Sequence, residues 1–168
     1  MVSALALILV VGASGTALGQ NLADPGLKDF RHKSLLIKTV SGKYEEIFNS
    51  VLDVLSQQNF PLVNVRDYGK TFSTRFQQRG DGKLPFAQYR IIEFCNVEFA
   101  LELLTADQRM GVFLPCRIVV YQPLGEKKVV LTTLNPKFLP DVLKNKQLEG
   151  IVGKLEKVIQ AIFEDVDY

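Results

Sequence analysis

The residues of this sequence best suited to chemistry are its two cysteines, Cys95 and Cys116, which both lie in the segment 91–121. Cys95 follows a strand-like apolar run and precedes a helix-like one, whereas Cys116 follows Pro115 and opens a second strand-like run. If the strands that begin at Phe86 and at Arg117 are neighbours, the two sulfur atoms share one neighbourhood. The segment 91–121 is therefore the predicted structural or functional centre.

Cys95 is the candidate nucleophile of this pair. The Asn96 side chain is suited to cap the helix that follows, which places Cys95 one residue before the cap. The positive end of the helix would then lower the pKa of the thiol and favour a reactive thiolate, with Cys116 as the resolving partner. Two other interpretations stay open, namely one disulfide between the cysteines and two separate buried thiols that only pack.

Three polar residues beside the cysteines, Glu93, Asn96 and Arg117, are candidate binding residues. Glu93 has the same strand parity as Cys95, so its carboxylate is expected on the same side. Arg117 follows Cys116 and could pair with Glu93; the alternative is that Glu93 is a strand-edge charge facing water. The chain has no nucleophile elbow, phosphate loop or dinucleotide-binding motif, so no catalytic residue is assigned and a non-enzyme is favoured.

Soft-metal or heme binding is a minor alternative. Cys95, Cys116 and Met110 are soft ligands of the kind that copper(I) prefers, and His32 is the single histidine. Their spacing matches no zinc pattern, and one histidine leaves a tetrahedral site short of ligands. We therefore predict no cofactor and no metal site.

Length and charge narrow the classes of partner. The chain has 168 residues, 47% of them hydrophobic and 23% charged, which suits one domain with its own core. Its formal net charge is only +2, and its basic residues are scattered among acidic ones, whereas a nucleic-acid-binding face needs clustered Lys and Arg. The remaining partner classes are an unknown small molecule and a protein.

Residues 1–19 have the features of an export signal. They carry no charge, and Ala4 to Val11 is a continuous apolar run followed by small residues, with Ala17 and Gly19 at the positions that signal peptidase reads. The run is shorter than the roughly 20 residues that span a bilayer, so a cleaved signal is favoured over an uncleaved membrane anchor. We predict a periplasmic or secreted protein without membrane contact after cleavage.

The rest of the chain is predicted to form a linker, residues 20–33, and one α+β domain, residues 34–168. Apolar residues with period two predict strands, and those with a period near 3.6 predict helices. The predicted strands are 35–40, 62–68, 71–76, 86–94, 117–122 and 128–133, and the predicted helices are 44–59, 96–106 and a long C-terminal one over 148–163. This pattern indicates a mainly antiparallel sheet packed against two or three helices.

The cysteine segment resembles the domain-of-unknown-function 302 family. Members of that family have a strand ending in an acidic residue, an apolar residue, Cys and Asn, then a helix with Ala and Leu-Leu, a Gly, and Leu-Pro-Cys before an apolar strand. The matching residues here are Glu93, Phe94, Cys95, Asn96, Ala100, Leu103, Leu104, Gly111, Leu114, Pro115, Cys116, Val119, Val120 and Tyr121. One departure is Val97, where the family usually has Pro at the first helical position.

The resemblance is good over residues 89–130 and extends more loosely from Ser34 through the last helix. It implies a compact α+β fold with an antiparallel sheet covered by helices, leaves a homodimer open and implies no established activity. We expect an exported form of this family that acts as a non-enzymatic binding or interaction module. The leading alternative is a thiol-based redox or sulfur-handling protein that uses Cys95 and Cys116.

Overall fold

A computed structural model of the protein describes residues 34–79 and 82–166. The predicted signal peptide over 1–19, the predicted linker over 20–33 and His32 lie outside the described residues. The strands form one antiparallel sheet in the order β1-β5-β4-β3-β2. Their bounds are β1 Leu35–Ser41, β2 Leu62–Asp67, β3 Phe86–Phe94, β4 Cys116–Pro123 and β5 Lys128–Leu134.

Three of the helices connect successive strands, and the other two follow the last strand. They are α1 Tyr44–Gln57, α2 Tyr68–Arg79, α3 Val97–Ala106, α4 Leu139–Leu143 and α5 Leu148–Asp165, with short 3₁₀ segments at Gln108–Phe113 and Pro136–Phe138. The α+β class, the antiparallel sheet and the long C-terminal helix are confirmed. The predicted neighbourhood of β3 and β4 and the predicted β4–β5 hairpin are confirmed as well.

The hydrophobic core lies between α1, α3, α5 and one face of the sheet, which we call the inner face. Its strand residues are at most 3% exposed and comprise Val40, Ile92, Phe94, Ile118, Val120, Val129 and Leu131. On the helices, apolar residues three or four positions apart form the facing stripes, including Ile47, Val51 and Leu55 on α1 and Leu155, Ile159 and Ile162 on α5. Each fully buried side chain of this kind contributes about 1.5–3 kcal/mol.

Arg90 joins the inner face to α1. Its two terminal guanidinium nitrogens donate to the two carboxylate oxygens of Glu45 over 2.7 and 2.8 Å, and its Nε donates to Asp67 over 3.3 Å. The guanidinium also lies over the rings of Tyr44 and Phe48, 5.2 and 4.8 Å from their centroids. The hydrogen bonds to Glu45 raise the pKa of Arg90 above its ordinary value. This side chain is thus fully engaged in holding the fold.

The opposite face of the sheet, the outer face, carries a second set of cross-strand pairs. Tyr89 of β3 lies opposite Tyr121 of β4, with stacked rings 5.7 Å apart. Val119 of β4 lies opposite Thr132 of β5. Residues directly opposite each other in an antiparallel pair point to the same face, so the register assigns all four side chains to the outer face.

The prediction of a strand over 71–76 is wrong. β2 ends at Asp67, and the chain continues directly into α2, Tyr68–Arg79, instead of turning back as a second strand. The loose alternation of apolar residues in this stretch is also compatible with a helix, because Tyr68, Phe72 and Phe76 recur every four residues.

Local hydrogen bonds and aromatic packing favour the helix over the predicted strand. The Asp67 side chain accepts a hydrogen bond from the backbone N–H of Lys70 over 2.8 Å, which satisfies one free donor of the first helical turn. The rings of Tyr68 and Phe72 stack at 5.2 Å, and Tyr68 meets Tyr89 edge to face at 6.5 Å. Packing against β3 therefore fixes the helical period.

Within residues 34–79 and 82–166, no helix is both long enough and apolar enough to cross a bilayer.

Candidate functional site

A pocket of about 260 Å³ lies at the end of the sheet where β4 begins and β5 ends, and we call it the sheet-end pocket. Its deep wall belongs to the core and consists of side chains at most 2% exposed, namely Phe94, Leu103, Met110, Leu139 and Ile159. Three lining residues are exposed and mark where the pocket meets solvent: Leu35 at 40%, Val112 at 79% and the Arg117 side chain at 48%. The pocket is thus apolar inside and has a charged residue at its opening.

The wall between α3 and β4 is held in place by a set of hydrogen bonds around Asp107. The Asp107 carboxylate accepts from the backbone N–H of Arg109 over 3.0 Å and from its guanidinium over 2.9 and 2.7 Å. Arg109 also donates to the carbonyl of Leu143 over 2.9 Å, which ties this segment to α4. These contacts fix the 3₁₀ segment Gln108–Phe113 so that Met110 points into the molecule.

Four lining residues have polar side-chain atoms: Cys116, Arg117, Thr132 and Thr133. The Thr133 hydroxyl donates to the carbonyl of Arg117 over 2.7 Å and so links β5 to β4. The hydroxyl of Thr132 is buried and has no hydrogen-bond partner among the described residues. An unpaired buried hydroxyl costs about 1–3 kcal/mol, so the Thr132 hydroxyl lowers the stability of the ligand-free protein.

Both cysteines are free, half-buried thiols in this structure. Cys116 is the cross-strand partner of Phe94, the residue before Cys95. The pKa of the Cys116 thiol is raised to about 12, chiefly by burial and to a smaller extent by the neighbouring Cys95. Both the register and this electrostatic influence indicate one shared neighbourhood.

The predicted lowering of the Cys95 pKa is wrong, because burial raises it instead. The free N–H group of Phe99 at the start of α3 is satisfied by the Asn96 side chain over 2.9 Å, whereas the Cys95 sulfur donates weakly to the Asn96 carbonyl over 3.6 Å. The thiol thus faces an acceptor that disfavours the thiolate, and both sulfur atoms are protonated at neutral pH.

Glu93 and Arg117, two of the candidate binding residues, form the predicted ion pair. They are cross-strand partners on the outer face, and Arg117 Nε donates to Glu93 Oε1 over 3.1 Å. Asn64 donates to Glu93 Oε2 over 3.2 Å, and Arg66 Nε lies 3.6 Å from the same oxygen. The Arg117 hydrogen bond, supported by Asn64 and Arg66, holds the pKa of Glu93 below its ordinary value.

The alternative that Glu93 is a strand-edge charge facing water is therefore wrong, since Glu93 is only 8% exposed. The parity argument that placed its carboxylate beside the Cys95 thiol does not apply, because β3 ends at Phe94. The pairing instead sets Arg117 at the opening of the sheet-end pocket. Glu93 thereby acts on the site through the position of the Arg117 guanidinium.

Asn96, the third candidate binding residue, is occupied by the fold. Its side-chain oxygen accepts from the backbone N–H of Phe99 and its amide donates to the carbonyl of Asn59 over 2.9 Å. The predicted cap of α3 is thus confirmed, and Asn96 does not line the pocket.

Metal-binding groups are sparse in the part of the chain that the structure describes. It contains no group of three or more His, Cys, Asp and Glu side chains that could hold an ion. Cys116 and Met110, two of the three soft ligands considered for copper(I), both line the sheet-end pocket.

Sequence reasoning missed Thr132, Asn64 and Arg66. The only sequence signal for Thr132 is a pair of threonines at the end of an otherwise apolar strand, which does not reveal that one hydroxyl is bonded and the other is not. Asn64 and Arg66 are two positions apart on β2, so the sequence could place them on one face of the strand. It could not identify them as partners of Glu93.

Comparisons with known proteins give the family and the fold. The model of the family described as "Domain of unknown function DUF302" matches residues 36–166. The solved structure titled "Crystal structure of uncharacterized conserved protein DUF302 from Bacillus stearothermophilus" is similar with a TM-score of 0.66 and 23% sequence identity, covering 79% of this chain and 97% of that chain. At this identity, the likeness shows the fold alone.

No curated protein matches the chain. The family match covers the three core helices, the sheet and the sheet-end pocket. Leu35, the first residue of the sheet and a lining residue of the pocket, is the one residue of these that lies outside it. This chain belongs to the family of the domain of unknown function DUF302.

Proposed function

We propose that the protein is an exported, non-catalytic binding module whose sheet-end pocket holds one small apolar molecule. Ligand pockets in proteins are typically preformed, mostly apolar and equipped with a few polar groups that orient the ligand. The sheet-end pocket has these properties, since its deep wall is fully apolar and Arg117 and Thr132 are placed at its polar part.

The observation that carries this proposal is the position of the pocket within rigid elements. Its walls come from β4, β5, α3 and α5, whose side chains also form the core, and from the 3₁₀ segment Gln108–Phe113, which the hydrogen bonds around Asp107 hold in place. A binding site built on such elements needs little ordering when a ligand enters, which favours affinity. The segment 91–121 remains the centre of this proposal, because it supplies Phe94, Leu103, Met110, Cys116 and Arg117.

Thiol chemistry is the weaker candidate. A nucleophilic or redox-active cysteine needs a lowered pKa, whereas burial raises the pKa of both Cys95 and Cys116. Cys116 instead contributes a small, weakly polar surface to the pocket wall.

Fluorescence titration with naphthalene tests the proposed pocket, because this apolar fluorophore is close to the pocket in size. We expect saturable binding with one site per chain. Val119→Phe places a larger side chain in the pocket lining and should weaken binding about tenfold or more. Val63→Phe is the matched control, since Val63 is 57% exposed on β2 and lies outside the pocket.

Both variants are compared with the original protein by urea unfolding, so that loss of binding is separated from loss of fold. Leu134→Phe is a second pocket-filling variant for the case that Val119→Phe is unstable, because Leu134 lies in the lining at the end of β5. No naphthalene binding, or equal binding by filled and control variants, would overturn the proposal.

Export is tested by the N-terminus of the protein recovered after expression of the full chain in a bacterial host. We expect a periplasmic protein that begins at Gln20, after the predicted cleavage site. An intact N-terminus in the cytoplasmic or membrane fraction contradicts this part of the proposal.

A further inference from the structure

We propose that the ligand of the sheet-end pocket is an amphipathic acid of about ten non-hydrogen atoms, with an apolar body and a carboxylate that Arg117 and Thr132 bind. This inference rests on the proposed function and specifies the chemical class of its ligand. It follows from the charge of the pocket lining, the hydrogen-bonding state of two side chains and the volume of the cavity.

Arg117 is the one charged residue among the described residues that line the pocket. The other lining residues are apolar or neutral, and Cys116 is neutral because burial raises its pKa to about 12. The Glu93 carboxylate is shared between Arg117 and Arg66 of β2, so it is not dedicated to the Arg117 guanidinium. Arg117 thus places positive charge at the opening, which favours an anionic group on the ligand.

The Arg117 guanidinium keeps most of its hydrogen-bonding capacity. A guanidinium has five N–H donors in a planar fork. Nε donates to Glu93, and no other Arg117 side-chain hydrogen bond occurs among the described residues. Its two terminal nitrogens therefore offer the paired donors that bind a carboxylate in bidentate geometry. The bond to Glu93 restricts the guanidinium and so prepares it for this role.

Thr132 supplies the second donor. Its hydroxyl is the single buried side-chain polar atom without a hydrogen-bond partner in the part of the chain that the structure describes. Thr132 lies opposite Val119, two residues along β4 from Arg117 and on the same outer face. Such diagonal neighbours in a sheet are roughly 7–8 Å apart, which a long arginine side chain can bridge. The Thr132 hydroxyl is closed to solvent in the ligand-free structure, so one carboxylate contacts both residues only after this hydroxyl turns toward the pocket.

The cavity volume sets the size of the whole ligand. An apolar cavity of about 150 Å³ binds benzene, and scaling from that case gives about ten non-hydrogen atoms for the sheet-end pocket. Octanoate has this size. The deep wall of Phe94, Leu103 and Ile159 offers no hydrogen bond, so the hydrocarbon end of the ligand is expected to lie there.

The test compares three eight-carbon probes by isothermal titration calorimetry: octanoate, 1-octanol and octylamine. The hydrocarbon chain of octanoate is one carbon shorter than those of the other two probes, which by itself would favour the alcohol and the amine by about fourfold. Tighter binding of octanoate therefore reports the head group. We expect octanoate to bind about tenfold or more tightly than 1-octanol, and octylamine to bind most weakly.

Variants assign the effect to the two residues. Arg117→Gln should weaken octanoate about tenfold and leave 1-octanol within about twofold, whereas Arg117→Lys keeps the charge and should give an intermediate loss. Thr132→Val should weaken both octanoate and 1-octanol. Arg75→Gln on α2 and Thr39→Val on β1 are matched controls outside the pocket lining and should bind like the original protein.

The outcomes separate this inference from the proposed function. If naphthalene and 1-octanol bind but octanoate binds no more tightly, the pocket stands and the acidic head group is wrong. If Arg117→Gln leaves octanoate binding unchanged, the assignment to Arg117 is wrong. If neither naphthalene nor any eight-carbon probe binds, the proposed function falls and this inference falls with it.

Discussion

Two arginines on neighbouring strands, Arg90 and Arg117, have contrasting environments. Arg90 is on the inner face, and its guanidinium is engaged by Glu45, Asp67 and two aromatic rings, with 19% of the side chain exposed. Arg117 is on the outer face, makes one side-chain hydrogen bond and is 48% exposed. One arginine is thus satisfied by the fold, and the other lines a pocket and has terminal nitrogens without a hydrogen bond among the described residues.

This contrast separates structural charge from charge that is available to a ligand. Arg90 and Arg117 were equivalent in the sequence, since each lies in a predicted strand, where Arg90 follows Tyr89 and Arg117 follows Cys116. Their roles differ because α1 covers one face of the sheet and supplies Glu45, whereas Glu93 is the one acid that contacts Arg117. Two adjacent threonines show the same contrast, since the Thr133 hydroxyl is hydrogen-bonded and the Thr132 hydroxyl has no partner among the described residues.

Arg90→Met should have the largest effect on stability. It removes the bidentate pair with Glu45, the contact with Asp67 and the stacking over Tyr44 and Phe48, which together should lower the free energy of unfolding by about 2–3 kcal/mol. Urea unfolding at pH 7 measures the change. Arg75→Met on the exposed side of α2 is the control and should change stability by less than about 0.5 kcal/mol. Equal stability of the two variants would contradict the structural role.

Thr133→Val should have the next largest effect. The substitution keeps the shape of the side chain and removes the hydrogen bond to the Arg117 carbonyl, which leaves that carbonyl without its side-chain donor. We expect a loss of about 1–2 kcal/mol in the free energy of unfolding, measured by urea denaturation. A variant as stable as the original protein would show that this bond contributes nothing to the β4–β5 junction.

Glu93→Gln should change the acid dependence of stability. Arg117 holds the folded-state pKa of Glu93 below its ordinary value of 4.5, so the unfolded chain binds more protons in acid. The contribution of Glu93, about 1 kcal/mol, is present above about pH 5 and is lost as the pH falls through the folded-state pKa. Urea midpoints of the original protein should therefore fall more steeply from pH 7 to acid than those of the variant. Parallel curves would refute this linkage.

Thr132→Val should have the smallest effect and the opposite sign. Valine fills the same space without an unpaired hydroxyl, so the ligand-free protein should become more stable by about 0.5–1 kcal/mol. Differential scanning calorimetry of Thr132→Val and Thr133→Val side by side gives the sharpest comparison, because the two residues are adjacent. Destabilisation by both would mean that the Thr132 hydroxyl already has a partner.

The fold was largely predictable from the sequence because burial imposes a period on each element. The stripes of α1 and α5 follow the helical period, and β3 was located at its observed bounds, Phe86–Phe94. The prediction for the segment after Asp67 was wrong because Tyr68, Phe72 and Phe76 fit a helix and a strand about equally well. Packing of the Tyr68 and Phe72 rings against β3 favours the helix, and the local sequence pattern does not report such packing.

The site was predictable only in part. The pairing of Glu93 with Arg117 was one of two alternatives that the sequence left open, and the register and the hydrogen bond show it. The pKa of Cys95 was predicted with the wrong sign because the direction of a thiol and the depth of its burial depend on tertiary structure. The pocket and the unpaired Thr132 hydroxyl also depend on how far β4, β5 and α5 approach one another, which no residue type encodes.

Phe94, Leu103 and Ile159 are shared between the hydrophobic core and the sheet-end pocket. An occupant that touches these side chains would behave as one more core residue and would be released whenever the protein unfolds. Binding is thereby linked to melting, and a ligand at a hundred times its dissociation constant would add about 2.7 kcal/mol to the free energy of unfolding. A library of metabolites could consequently be ranked by melting temperature alone, with no assay of biological activity.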